Sequence, residues 1–93
     1  MLPKFIMICG VKVPIKIKKQ DPNVLAQYLD RERVIEVDPE TLKIDILPEV
    51  IFHEMVHACL AITGITELIP LEMEEAVCRA MENLCNAIPY RKK

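Results

Sequence analysis

The first half of the chain alternates apolar and polar residues with a period of two, which is typical of β-strands. The segment KFIMICGVKVPIKIKK (residues 4–19) predicts two strands that separate near Gly10. One face of the second strand carries the apolar residues Val11, Val13, Ile15 and Ile17. Because Pro14 has no N–H to donate to a neighbouring strand, we expect this strand to be bulged or to lie at a sheet edge.

A second hairpin is predicted further along the chain. Its strands are VLAQYL (residues 24–29) and VIEV (residues 34–37), and the polar turn DRER (residues 30–33) joins them. The first of these segments is also compatible with a short helix. The next segment, DPETLKIDIL (residues 38–47), has no periodicity that favours either a helix or a strand.

From Pro48 onward the pattern indicates helices. Pro is favoured at the first helical position and Gly after the last one, so Pro48 and Gly64 frame a helix over residues 48–63. This helix is apolar on nearly all sides, which predicts a central, buried position.

A second helix is predicted to begin at Pro70 and to stop at Pro89. Spacings of three and four place one face of it toward the first helix, and that face carries Glu74, Val77, Met81, Leu84 and Ile88. The sequence thus predicts an α+β fold within a single domain over residues 1–93. In this fold, a small antiparallel β-ribbon or sheet of two hairpins precedes a two-helix hairpin.

Composition narrows the classes of function. The chain has 93 residues, of which 52% are hydrophobic, and a net charge of −2, which argues against broad electrostatic binding to nucleic acid. No apolar stretch approaches the roughly 20 residues that span a membrane, so no membrane association is expected. The four cysteines form no C-x-x-C pair and lie in apolar runs, as reduced cysteines do, which favours a cytoplasmic location.

The candidate chemistry lies in VIFHEMVHACL (residues 50–60), which holds both histidines of the chain. His53 and His57 are four residues apart, so on a helix their rings project to one side and can both reach a zinc ion. Glu54 lies on the flank of that side, where it can act as a general base on a water molecule. The alternative is a hydrogen-bonded core cluster, but burying three polar groups on one apolar turn is costly without a shared partner.

A catalytic zinc site needs a third protein ligand and an open position, and no third histidine exists. The remaining candidates are carboxylates at or near the second predicted helix: Glu67, Glu72, Glu74, Glu75 and Glu82. We favour Glu74, because it shares the face that is predicted to meet the first helix, with Glu75 as the second choice. Glu75 is expected to be turned about 100° away, and Glu72 and Glu82 to point further outward. Cys78, one turn after Glu74, is expected to be buried by packing, and the alternative is that its thiolate is a blocking metal ligand.

The motif His53-Glu54-x-x-His57, followed by EEAVCRAMENL (residues 74–84), resembles the gluzincins. It is most similar to their smallest versions, the phage-type small metallopeptidases called minigluzincins and the ImmA/IrrE-like domains. In those proteins a β-ribbon precedes the H-E-x-x-H helix, and a glutamate on the next helix completes a zinc site. The resemblance implies that His53, His57 and Glu74 are zinc ligands and that Glu54 is the general base and acid.

Two departures from that family accompany the resemblance. The asparagine that ImmA/IrrE-like domains often carry four residues after the ligand is Cys78 here. A second subdomain, which supplies a Tyr or His to larger gluzincins, has no room in this chain, and the sequence does not place Tyr28 or Tyr90 at the site.

The predicted function is a metallopeptidase that depends on one zinc ion and hydrolyses a peptide or protein substrate, which would lie extended along a strand edge. The alternative is a zinc-binding regulatory or interaction module of the same fold with little unaided activity. A purely structural zinc site is a third possibility, although it has no need of Glu54 as a base. The thin core and the apolar central helix also favour a homodimer.

Overall fold

The computed structural model describes residues 2–86, with the side chains of Cys85 and Asn86 left out. Its four strands are β1 (Phe5–Ile8), β2 (Val11–Ile17), β3 (Ala26–Leu29) and β4 (Val34–Val37). Both predicted hairpins are present, because β1 pairs with β2 and β3 pairs with β4, each antiparallel. Residues 24–29 therefore contribute a strand and not a short helix.

The sheet is mixed, so the prediction of an antiparallel sheet is wrong. Its strand order is β1-β2-β4-β3, and β2 runs parallel to β4 where Ile15–Ile17 pairs with residues 35–37. All four residues of β4 are buried, whereas β3 is only partly buried. A strand that is buried on both faces belongs inside a sheet, so β4 joins the two hairpins and β3 takes the edge.

Pro14 does not mark an edge strand, because β2 is an inner strand between β1 and β4. The pairing of β2 with β4 begins at Ile15, one residue after the proline, while Pro14 itself lies opposite Phe5 of β1. The missing N–H of Pro14 is therefore outside the β2–β4 ladder.

The segment that the sequence left unassigned contains a short 3-10 helix, Pro39–Lys43. Asp38 caps it and accepts hydrogen bonds from the backbone N–H groups of Gln20 (2.8 Å) and Glu40 (2.9 Å). The hydroxyl of Thr41 donates to the carbonyl of Leu25 at 2.7 Å. These bonds tie the connection to the segment between β2 and β3.

Within residues 2–86 the α-helices are α1 (Leu47–Ile62) and α2 (Leu71–Asn86), so both begin close to the predicted positions, and α1 also ends close to its predicted position. Gly64, at φ +84°, follows the end of α1 as predicted. α1 packs against α2 and against the sheet, including its strand β3. The core that joins the sheet to α1 consists of Ile8, Val13, Ile15, Ile35, Val37, Ile51 and Ala58.

The orientation of α2 differs from the prediction. Among its described side chains Glu74 and Cys78 are buried, whereas Met81 and Leu84 of the predicted inner face are 37% and 60% exposed. The prediction was right for Glu74 but wrong for Met81 and Leu84, because α1 presents polar rings to α2, and polar groups of α2 meet them. Ile88 and Pro89, which were predicted to complete and end this helix, lie outside the described residues.

Candidate metal centre

His53 and His57 lie side by side on α1, with ring centroids 5.0 Å apart in an edge-to-face arrangement. Both side chains are mostly buried, and Glu54 between them is only 8% exposed. This placement agrees with the predicted i, i+4 geometry on one helical turn. The side chains of His53, Glu54 and His57 therefore lie close together on the side of α1 that contacts α2 and β3.

Two carboxylates of α2 fix the orientation of the imidazole rings. Glu82 Oε1 lies 2.9 Å from Nδ1 of His53, and Glu74 Oε2 lies 2.6 Å from Nδ1 of His57. A carboxylate only accepts hydrogen bonds, so each Nδ1 carries a proton and donates it. In the neutral ring, the lone pair is then on Nε2.

Both Nε2 atoms face a single carboxylate, that of Glu75. Its Oε1 is 3.4 Å from Nε2 of His53, and its Oε2 is 3.3 Å from Nε2 of His57. Lone pairs that face a carboxylate at this distance repel it, unless a proton or a metal cation lies between them. The two imidazole nitrogens and one carboxylate are also a donor set that suits zinc.

The placement of the acidic residues differs from the sequence prediction in two respects. Glu82, expected to point outward, contacts His53, and Glu75, expected to be turned away, faces both rings. Glu74 does reach the cluster, but it bonds the Nδ1 side of His57. Glu67 and Glu72 are exposed. The i+4 and i+7 spacings from Cys78 and Glu75 to Glu82 could have indicated a common face of α2.

Cys78 is completely buried beside the same cluster, as packing predicted. Its Sγ and one ring nitrogen from each histidine lie within 4.8 Å of one another, so His53, His57 and Cys78 could hold a metal ion. Burial, together with the charges of Glu75, Glu74 and Glu54, raises the pKa of the Cys78 thiol to about 12. The thiol is therefore neutral unless a cation is present, whereas the carboxylate of Glu75 needs no such help to act as a ligand.

Glu54 is held between α1 and the edge strand. Burial raises the pKa of its carboxyl above the ordinary glutamate value, and the neighbouring His57 and His53 and a hydrogen bond from the backbone N–H of Tyr28 oppose this shift. A carboxylate with a raised pKa accepts a proton more readily at neutral pH. Glu54 therefore combines a fixed position with the basicity that proton transfer needs.

A cleft of about 350 Å³ opens beside the cluster, between β3 and the helices. Its walls include Gln27 and Tyr28 of β3, together with both histidines, Glu54 and Glu75. A second hollow of about 220 Å³ lies on the other side of His53 and Glu54, next to Leu25, Ile46 and Val50. No local pattern indicates that β3 forms this wall, because the order of strands depends on long-range pairing.

Tyr28 is the tyrosine that the structure places at the cleft, and its hydroxyl donates to Oδ1 of Asp30 at 3.3 Å. Tyr90 lies outside the described residues.

Within residues 2–86, no helix is both long and apolar enough to cross a membrane. Neither a family model, nor a curated protein, nor a solved structure matches this chain. The resemblance to gluzincins therefore stays a prediction.

Proposed function

We propose that the protein is a zinc-dependent peptidase whose metal is held by His53, His57 and Glu75. The observation that carries this proposal is the convergence of both Nε2 atoms on the Glu75 carboxylate, at 3.4 Å and 3.3 Å, which is an arrangement that a shared zinc ion would satisfy. Glu74, the ligand favoured from the sequence, is the alternative. To coordinate the metal through the same oxygen, it would have to give up its 2.6 Å hydrogen bond to Nδ1 of His57.

The other two carboxylates then support the ligands. Glu74 and Glu82 accept the Nδ1 protons of His57 and His53, which keeps each ring turned with Nε2 toward Glu75. Such hydrogen bonds also make the imidazoles more basic and therefore better ligands. All of the groups come from two helices packed together, so the donors are fixed before a metal binds.

Zinc held by these residues supplies Lewis acidity toward a peptide carbonyl and makes a water molecule more acidic. Glu54 removes a proton from the attacking water and later returns a proton to the leaving amine. The hydrogen bond from the Tyr28 N–H keeps the Glu54 carboxylate at the wall of the cleft during both transfers.

A peptide or protein substrate is expected to bind as an extended chain beside β3. Within residues 2–86 this strand lies at the edge of the sheet and pairs only with β4, and its residues Gln27 and Tyr28 line the cleft. Main-chain groups at a sheet edge can pair with an added strand, which aligns a scissile bond without depending on its sequence. A shallow cleft of this size favours a narrow or latent activity.

A zinc-binding regulatory or interaction module is the second candidate, and the observation that favours it is the buried Cys78. If Cys78 joined His53 and His57 as a ligand beside Glu75, it would fill the position that a substrate needs. A partner or a second copy of the chain would then be the physiological ligand. In either case we propose a reducing, cytoplasmic location, which suits the free thiols of Cys9, Cys59 and Cys78.

Metal content and cleavage of unstructured protein substrates test the proposal together. We expect one bound zinc in the wild type, cleavage that a chelator abolishes, and loss of zinc in His53→Ala. Glu54→Gln should keep its zinc but lose about 10²–10⁴-fold in cleavage rate, since only the proton transfer is removed. Glu72→Gln, an exposed change on α2, is the matched control. Bound zinc without chelator-sensitive cleavage would favour the regulatory module.

A further inference from the structure

Cys9 and Cys59 lie in contact although 50 positions separate them in the chain. Their Sγ atoms are 3.5 Å apart. Cys9 is exposed in the turn between β1 and β2, Cys59 is partly buried on α1, and both are free thiols. A disulfide bond is about 2.05 Å long, so a small side-chain adjustment would bring the two sulfur atoms within bonding distance.

The backbone gives no reason for a cysteine at position 9. Cys9 has φ +51° and Gly10 has φ +79°, which is the left-handed pair of a tight two-residue hairpin turn. Asn, Asp and Gly are the residues that favour this conformation, whereas a cysteine adopts it at a cost. What the cysteine does offer there is a thiol placed against the thiol of Cys59.

This pair is separate from the candidate metal centre. Cys59 follows His57 by two residues, which places it about 200° around α1, on the side that faces the β1–β2 hairpin. Its side chain packs against the core cluster that joins the sheet to α1. The metal could therefore bind or leave without removing either sulfur from its partner.

We propose that Cys9 and Cys59 form a reversible disulfide when the protein meets a peroxide. The exposed sulfur of Cys9 attacks the peroxide, the O–O bond breaks, and Cys9 becomes a sulfenic acid while the first water leaves. The sulfur of Cys59 then attacks the Cys9 sulfur, the S–O bond breaks, and the second water carries away the remaining proton. Two thiols lose two electrons to one molecule of hydrogen peroxide, and a dithiol reductant reverses the reaction.

The bond would join the β1–β2 turn to α1 and close a loop that contains β2, β3, β4 and much of α1. Closing so long a loop restricts the unfolded chain and stabilises the fold. The oxidised protein would therefore resist unfolding and proteolysis better than the reduced one.

The full chain, exposed to hydrogen peroxide and then unfolded and labelled with a maleimide, tests this proposal. We expect two of the four cysteines to be protected from the label, in monomeric protein and independently of protein concentration. Peptide fragmentation should find Cys9 linked to Cys59, and the oxidised protein should melt at a higher temperature. Treatment with a dithiol should restore four labelled cysteines.

Cys9→Ser, a change at an exposed turn, should abolish both the protection and the rise in melting temperature, and Cys59→Ser should abolish the protection. Cys85→Ser is the control and should keep the linked pair. The proposal fails if all four thiols of the wild type stay accessible to the label. It also fails if the linked peptides join other cysteines, or if the link forms only between molecules.

Discussion

Glu82 accepts a hydrogen bond from Nδ1 of His53 at 2.9 Å, although the two residues are 29 positions apart and lie on different helices. Besides packing against α1, α2 therefore determines which ring nitrogen of His53 is available to a ligand. Glu74 does the same for His57. The zinc chemistry that we propose therefore depends on the rotation of α2 as much as on the motif in α1.

The first prediction tests whether Glu75 or Glu74 is the zinc ligand. We expect Glu75→Gln to lower zinc affinity by more than about 100-fold because a ligand is lost, and Glu74→Gln to lower it by about 10–100-fold because only support of a ring is lost. Competition with a chromophoric chelator measures both affinities. Glu72→Gln should bind zinc like the wild type, and a larger loss in Glu74→Gln than in Glu75→Gln would make Glu74 the ligand.

The second prediction concerns the ionisation of Tyr28. Burial and the negative charge of Asp30 raise the pKa of its phenol, so the folded protein should titrate Tyr28 above about pH 10, the ordinary value. The difference in ultraviolet absorbance between the wild type and Tyr28→Phe isolates this residue. Since the folded state holds the proton more tightly, stability from this group is present below pH 10 and is lost at higher pH. An Asp30→Asn variant that left the midpoint unchanged would contradict this cause.

The third prediction is an acid effect at Asp38. Hydrogen bonds from the N–H groups of Gln20 and Glu40 lower the pKa of this carboxyl. The unfolded chain takes up the proton at about pH 3.9, and the folded one does so only at lower pH. Stability from Asp38 is therefore complete well above pH 3.9 and is lost as the pH falls through the folded pKa. Denaturation of Asp38→Asn should show a smaller loss between pH 5 and pH 3 than the wild type, and an equal loss would count against it.

The fourth prediction concerns the strand that joins the two hairpins. Ile35 of β4 is fully buried, so Ile35→Ala should lower the free energy of unfolding by about 2–5 kcal/mol through lost contacts and a cavity. Urea denaturation measures the change. Ile17→Ala, on the neighbouring strand but 51% exposed, should change it by roughly 0.5 kcal/mol or less. Similar effects of the two changes would mean that the core is not centred on β4.

Local patterns predicted the elements of this fold well. Alternation and turn residues located both hairpins, while Pro48 and Gly64 located the ends of α1. The mixed sheet could not be predicted in this way, because the parallel pairing of Ile15 with Ile35 joins residues that no local signal connects. Strand order depends on which strand buries both faces, and that depends on the whole fold.

The residues of the candidate site were likewise predicted only in part. The spacing of His53 and His57 was sufficient to place their rings together. Of the partners on α2, Glu74 was predicted to face α1, whereas Glu75 and Glu82 were predicted to be turned away, because apolar spacing was taken to mark the inner face of the helix. In this protein the inner face carries Glu74, Glu75 and Glu82, each with a carboxylate oxygen within 3.4 Å of an imidazole nitrogen of α1.

The division of the chain between sheet and helices has a consequence for its synthesis on the ribosome. Every strand that the structure describes precedes α1, so the apolar side of the sheet, with Val13, Ile35 and Val37, is made before Ile51 and Ala58 can cover it. The nascent chain therefore passes through a stage in which the apolar face of the sheet is exposed to solvent and can associate with other apolar surfaces. Chaperones that shield emerging polypeptides would act on this protein chiefly in the interval before its second half appears.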